Sequence, residues 1–209
     1  MSGSSNTHAD PTAIGLFGLA MVTLVASSQK LGITTGVAYV LPWAIFLGAL
    51  AQLVAGILDF KKLNVFGGTA FCAYGFFWLG VATSWLIQVG ALGPALQNNM
   101  DTSQLGFAFL GYFIITFFLT IGSLETNKVL FFIFFFIDLL FIGLAASTLL
   151  GHDAASYEFF HKLAAYSELA ISLLAFYGGG ANVLNNHFGR EFLPIGKPFG
   201  IVRNAGSAH

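Results

Sequence analysis

Apolar positions gather into six long runs separated by short polar breaks. The runs cover roughly residues 12–29, 35–58, 66–92, 105–123, 128–150 and 159–184. A helix crossing a bilayer needs about 20 mostly apolar residues. The breaks carry loop chemistry: Asp59 to Asn64 with Lys61 and Lys62, then Gly93-Pro94 with Asn98, Asn99 and Asp101, then His152-Asp153 with Glu158. The runs are too long and too evenly apolar for barrel strands, and open strands cannot cross lipid. The pattern predicts an all-α membrane protein with six transmembrane helices per protomer. Residues 1–11 form a tail and helix cap, 12–184 the six-helix domain, and 185–209 a cytoplasmic tail. The stretch after Gly200 is expected to be disordered.

Composition fits that pattern. Of 209 residues, 56% are hydrophobic and 8% are charged, with 24 Phe and 25 Gly. Mean hydropathy is +0.81. A soluble enzyme, a disordered chain and a disulfide scaffold are excluded on these figures. Eight Lys+Arg against nine Asp+Glu leave no basic footprint for nucleic acid. Cys72 stands alone, so no intrachain disulfide is available. The N-terminus lacks the cations of a signal peptide, and the first run reads as a retained helix. Six spans put both termini on one side. That side collects Lys61, Lys62, Lys128, Arg190, Lys197 and Arg203, against Lys30 and Lys162 opposite. The positive-inside rule makes the termini cytoplasmic, and the expected location is the plasma or inner membrane.

Candidate chemistry is sparse. No Lys or Arg lies deep in a run, so an anion would rely on hydroxyls, amides and helix N-termini, or would travel with a proton. Two carboxylates do lie deep. Asp138 is about 15 Å along its helix from Lys128, and Glu168 about 13–14 Å from Phe159. Nothing in the sequence pairs them. They are candidates for proton coupling, or else protonated acids bonding a neighbouring helix. His161 shares a face with Glu168 and reads as interfacial. Gln52, Thr69, Tyr74, Thr23, Thr116 and Asn182 are polar positions within apolar runs. Gln52 could bond a solute or join two helices. Asp10 reads as the N-cap of the first helix, with Pro11 following. Gly178-Gly-Gly180 marks either a helix break or loose packing. The Phe-rich stretch 131–136 reads as bulk apolar surface. No catalytic motif or metal-ligand spacing occurs, and no enzyme activity, cofactor or metal is expected.

Three stretches resemble the acetate uptake transporter family, the succinate–acetate permeases. Phe66-Gly-Gly-Thr-Ala-Phe-Cys-Ala-Tyr74-Gly-Phe-Phe-Trp78 is similar to its third-helix signature. Gly48-Ala-Leu-Ala-Gln52-Leu-Val-Ala-Gly56 is similar to its second helix, and residues 185–196 to its C-terminal signature. The N-terminal motif is partly kept as Asp10-Pro11-Thr12-Ala13-Ile14-Gly15-Leu16, with an acid where the family has Asn and no second proline. Asp138 and Glu168 are not part of the family pattern. The resemblance implies a protomer with a central pore, assembled as a homohexamer. It implies passage of acetate, similar monocarboxylates or succinate, with protons. It places the pore's hydrophobic constriction at Leu19, Tyr74 and Ile137, with Leu19 where the family has Phe.

The functional expectation is a channel or proton-coupled transporter for short carboxylates, guided by Gln52, Thr69, Tyr74, Thr23 and Asn182. A channel for small neutral solutes such as urea, and a membrane sensor without transport, remain open alternatives.

Overall fold

The computed structural model describes residues 9–151 and 155–202. The tail 1–8, His152, Asp153 and Arg203 therefore lie outside the described residues. Helix is the regular secondary structure of the described residues. Its elements are α1 (Thr12–Lys30), α2 (Val40–Trp43), a π-helical segment (Ala44–Ala51), α3 (Gln52–Lys61), α4 (Val65–Gln88), α5 (Pro94–Gln97), α6 (Thr102–Ser123), α7 (Lys128–Leu150) and α8 (Tyr157–Phe188). Six stretches are long and apolar enough to span a membrane, with α2, the π-helical segment and α3 forming one of them.

Short polar side chains start several helices by bonding free backbone N–H groups. Asn64 accepts from Gly67 N, Asp101 from Ser103 N, and Asn127 from Leu130 N. Asp10 Oδ1 accepts from Thr12 N at 3.1 Å, as expected of a capping acid, although the cap position itself falls on Pro11. Helix α8 ends on Gly189, whose φ of 62° is readily adopted without a Cβ.

The spans close into a ring. Helix α1 packs on α8, α8 on α7 and α7 on α6, while on the other side α1 meets the π-helical segment and α3, which pack on α4. Helices α4 and α6 close the ring with the least packing. Hydrogen bonds reinforce this joint: Tyr74 Oη with Thr116 Oγ1 at 3.0 Å, and Tyr112 Oη donating to Ala73 O at 3.0 Å. Elsewhere small residues set the spacing. Gly18 lies so close to the carbonyl of Leu47 that a Cβ there would overlap it. Helix α6 is the least buried span and turns Phe107, Ile114, Phe117 and Phe118 outward.

Four sequence expectations change. The second span runs over Val40–Lys61 rather than 35–58, so Asp59 belongs to a helix and not to a polar break. The same span contains eight π-helical residues, which a uniformly apolar run cannot signal. The three glycines from Gly178 to Gly180 stay helical, because Gly178 and Gly179 lie against α1 and packing there offsets their weak propensity. The C-terminal segment is docked as far as Val202, the last described residue, so the disorder expected after Gly200 does not extend to Ile201 and Val202. Val129 N donates to Ile195 O, Phe199 N to Leu124 O, and Val202 N to Glu125 Oε1.

Candidate functional site

Two cavities lie inside the ring at its opposite ends. The end away from the termini holds one of about 590 Å³, reached by Lys30, Gln88, Asp101, Gln104, Thr148 and His161. The terminal end holds one of about 300 Å³. Its walls come from α1 (Leu16, Leu19), α3 (Gln52, Asp59), α4 (Phe71, Tyr74) and α7 (Ile133, Ile137), among others. Helices α1, α4, α6 and α7 contribute to both cavities, so the two share one bundle interior.

The level between them is aromatic. Phe77 meets Phe141 edge-on at 5.1 Å and Tyr112 at 5.0 Å, and Tyr112 stacks on Phe141 at 5.6 Å. Phe109 adds a fourth ring, 6.1 Å from Phe77. Phe77, Phe109 and Phe141 are buried. The sequence reading did not find this cluster. Phe and Tyr are spread along α4, α6 and α7, and only the packing shows which rings meet.

The terminal-side cavity collects many of the expected residues. Leu19, Tyr74 and Ile137 are all buried and all line it. Gln52 lines it too and is completely buried. Its Nε2 donates to Gly48 O at 2.7 Å, within the π-helical segment, while its Oε1 has no hydrogen-bond partner. An unpaired buried acceptor on a cavity wall is suited to receive a donor from an occupant.

Other expected residues go elsewhere. Thr69 is half-buried and outside the cavity lining. Thr23 spends its hydroxyl on Leu19 O and Ala20 O in its own helix. Asn182 lines a third cavity of about 230 Å³, which adjoins the terminal-side one through Thr12, Leu16, Leu130 and Ile133. Asn182 Nδ2 donates to Asp10 Oδ2 at 2.9 Å, and Lys62 Nζ approaches Asp10 Oδ1 at 3.6 Å. Partial burial alone would raise the Asp10 pKa. The bonds from Asn182 and Thr12, with the charge of Lys62, outweigh it and hold the carboxyl below its ordinary value. Gly15 lies under the ring of Phe71, itself a wall of the cavity.

The two deep acids are not alike. Glu168 is 1% exposed, and its Oε2 meets Lys30 Nζ at 2.9 Å. The expectation that nothing pairs it is thereby corrected. Depth along one helix says nothing about a long side chain reaching from the end of another. Asp138 Oδ2 accepts from Thr120 Oγ1 at 2.6 Å, joining α7 to α6, while its Oδ1 has no partner. Neither acid lines the two axial cavities, although Lys30 does line the wider one. Among the described residues the terminal-side cavity has one carboxylate in its wall, Asp59, which the sequence pattern assigns to a polar break.

Comparison with known proteins agrees with this geometry. The family model described as the GPR1/FUN34/yaaH family matches residues 2–193. The succinate-acetate/proton symporter SatP of Escherichia coli K12 is 35% identical over 190 residues, which are 90% of this chain and 96% of that protein. Acetate permease A of Emericella nidulans is 29% identical over 160 residues, 73% of this chain and 54% of the fungal protein. The structure of the bacterial acetate channel SatP superposes with a TM-score of 0.82 at 34% identity, covering 91% of this chain and all of that one. Shared sequence over nine-tenths of the chain, a matching ring of helices and a family model spanning nearly its whole length agree: this integral membrane protein belongs to the GPR1/FUN34/yaaH family.

Proposed function

We propose that this protein carries acetate and similar short carboxylic acids, succinate among them, across the inner membrane. The observation that carries the reading is the pair of cavities in one bundle interior with an apolar and aromatic level between them. An acid reaches the wider cavity hydrated. To continue it passes rings and aliphatic side chains, a level that strongly favours the neutral acid over the anion. Leu19, Tyr74 and Ile137 form the narrowing on the terminal side, and Gln52 Oε1 accepts a hydrogen bond from the acid that has passed it. Lys30 is occupied by Glu168, which supports entry by weak acids rather than capture of a multivalent anion. The protein works as a conduit without a catalytic step.

The excess of Lys and Arg on the terminal side supports cytoplasmic termini. The outward apolar side chains of α6 support burial against lipid and neighbouring protomers in a homohexamer. In that assembly Asp138 and Glu168 act mainly as interhelical ties, a role supported by their bonds to Thr120 and Lys30.

Radiolabelled acetate uptake into proteoliposomes tests the reading. Uptake is expected to rise about tenfold per pH unit as the outside is acidified above the acid's own pKa, which sits near the ordinary carboxyl value of about 4.3. It is expected to be insensitive to membrane potential. Uptake that tracks potential and ignores pH would show that the anion permeates. Urea uptake with no acetate uptake would favour a neutral-solute channel.

A further inference from the structure

Asp59 is the carboxylate that the sequence pattern places in a loop and the fold places inside. It sits near the end of α3, is 1% exposed, and lies in the wall of the terminal-side cavity. Neither of its oxygens has a hydrogen-bond partner. The Asn64 side chain stands alongside and favours the charged carboxylate, while its own oxygen accepts from Gly67 N. Space for the carboxylate exists because α4 presents Gly67 there. A Cβ at Gly67 would overlap Asp59 Oδ2. A buried carboxylate without a donor is unfavourable while charged, so it must take a proton or a donor from whatever fills the cavity.

The groups facing Asp59 are few. Asp10, from the leading end of α1, opposes its charge, and Lys62, at the end of its own helix, supports it. Asn64 and Gly67 approach from α4 and carry no charge. Across the cavity, Gly122, Thr126, Leu130 and Ile133 bring none, and the titratable hydroxyl of Tyr74 is bonded to Thr116.

We propose that Asp59 is the group that takes the proton from the transported acid. The proposal rests on the transport reading above and deepens it. In the first step the neutral acid in the cavity transfers its carboxyl proton to the Asp59 carboxylate. The O–H bond of the substrate breaks, an O–H bond forms on Asp59, and the substrate is left as a carboxylate anion. The anion leaves on the terminal side. In the second step Asp59 releases the proton to water entering from that side and returns to the carboxylate. One carboxylate anion and one proton have then crossed together, and both steps run equally in reverse.

The test uses full-length protein in proteoliposomes with radiolabelled acetate, as wild type, Asp59→Asn and Asp59→Glu. Two readouts are taken: net uptake at about pH 7, which requires proton release, and acetate–acetate exchange at about pH 5, which does not. Asp59→Asn is expected to lose about tenfold or more of net uptake, the scale typical of removing a proton-transfer group, while exchange stays within about twofold. Asp59→Glu keeps a carboxyl and is expected to restore the wild-type pH profile. Gly67→Ala keeps the acid but crowds it, and is expected to shift the pH of half-maximal uptake. An active wild type whose profile Asp59→Asn leaves unchanged overturns this inference alone. A wild type that moves no acetate overturns the transport reading and this inference with it. Should Asp59→Asn fail to fold, a Gly67→Ala profile that superimposes on wild type overturns the inference.

Discussion

The two ends of the bundle treat a buried carboxylate in opposite ways. At the wide end Glu168 is enclosed and tied to Lys30 at 2.9 Å, the lysine itself lying in the cavity wall. At the terminal end Asp59 is equally enclosed, yet both its oxygens lack partners. A paired buried charge holds helices together and has little reason to change protonation. An unpaired one has nothing to lose by taking a proton. Depth alone, which made Asp138 and Glu168 conspicuous in the sequence, does not separate these cases. What stands opposite the acid does.

Removing one partner at the wide end breaks this contrast most severely. Lys30→Met leaves Glu168 buried without its cation, and the expected loss is about 3–5 kcal/mol, the usual result of orphaning one member of a buried pair. Glu168→Gln alone is expected to destabilise less, because the partly exposed Lys30 can turn toward water. The double variant is expected to recover most of the loss. Thermal unfolding in detergent for the four-member cycle measures it, and an additive cycle would show that the pair is not coupled. At the terminal end, Asp59→Asn is expected to change stability by less than about 1 kcal/mol, since no partner is orphaned. A large loss there would erase the distinction between the ends.

A smaller effect sharpens the role of the narrowing on the terminal side. Leu19 is buried and lines the cavity with Tyr74 and Ile137. Leu19→Phe is expected to narrow the passage and to lower uptake of acids bulkier than acetate about tenfold relative to acetate, the scale on which pocket size discriminates. Competition assays with acids of increasing chain length read the ratio. An unchanged size preference would remove Leu19 from the constriction.

Much of the architecture was legible in the sequence, because a membrane span is a one-dimensional signal. Runs of about 20 apolar residues must be helices, and the run 128–150 coincides with α7. Tyr74, Gln52, Leu19 and Ile137, singled out in the sequence by the motifs and by the family resemblance, line one cavity. Three kinds of feature were hidden. The π-helical turn at Ala44–Ala51 leaves no mark in a uniformly apolar run. The Lys30–Glu168 pair joins residues 138 positions apart, and no periodicity connects them. Asp59 was hidden by its neighbours. Beside Lys61, Lys62 and Asn64 it looked like loop chemistry, whereas the helix continues past it and turns its side chain inward. The one available signal was Gly67, whose missing side chain leaves room for that carboxylate.

The smallest expected effect concerns Asp10, which stands over the terminal end and faces Asp59. Its bonds to Thr12 and Asn182 join the start of α1 to α8 and favour its charged form. A carboxyl whose pKa is lower folded than unfolded binds fewer protons in the native state. Its contribution to stability is therefore complete above the unfolded value of about 3.9 and is lost as pH falls through the lower native value. The group is substantially exposed, so solvent screening limits the contribution to about 1 kcal/mol or less. Asp10→Asn is expected to remove that increment of acid sensitivity, read as the difference between wild-type and variant unfolding curves from about pH 6 to about pH 3. The same substitution removes the negative charge opposing Asp59, so the pH of half-maximal acetate uptake should fall slightly as the Asp59 carboxylate becomes easier to form. If the uptake profile moves while unfolding does not, Asp10 acts on the terminal cavity through its field rather than through its bonds. If unfolding moves and uptake does not, Asp10 is a tie between helices, and the unpaired state of Asp59 is independent of it.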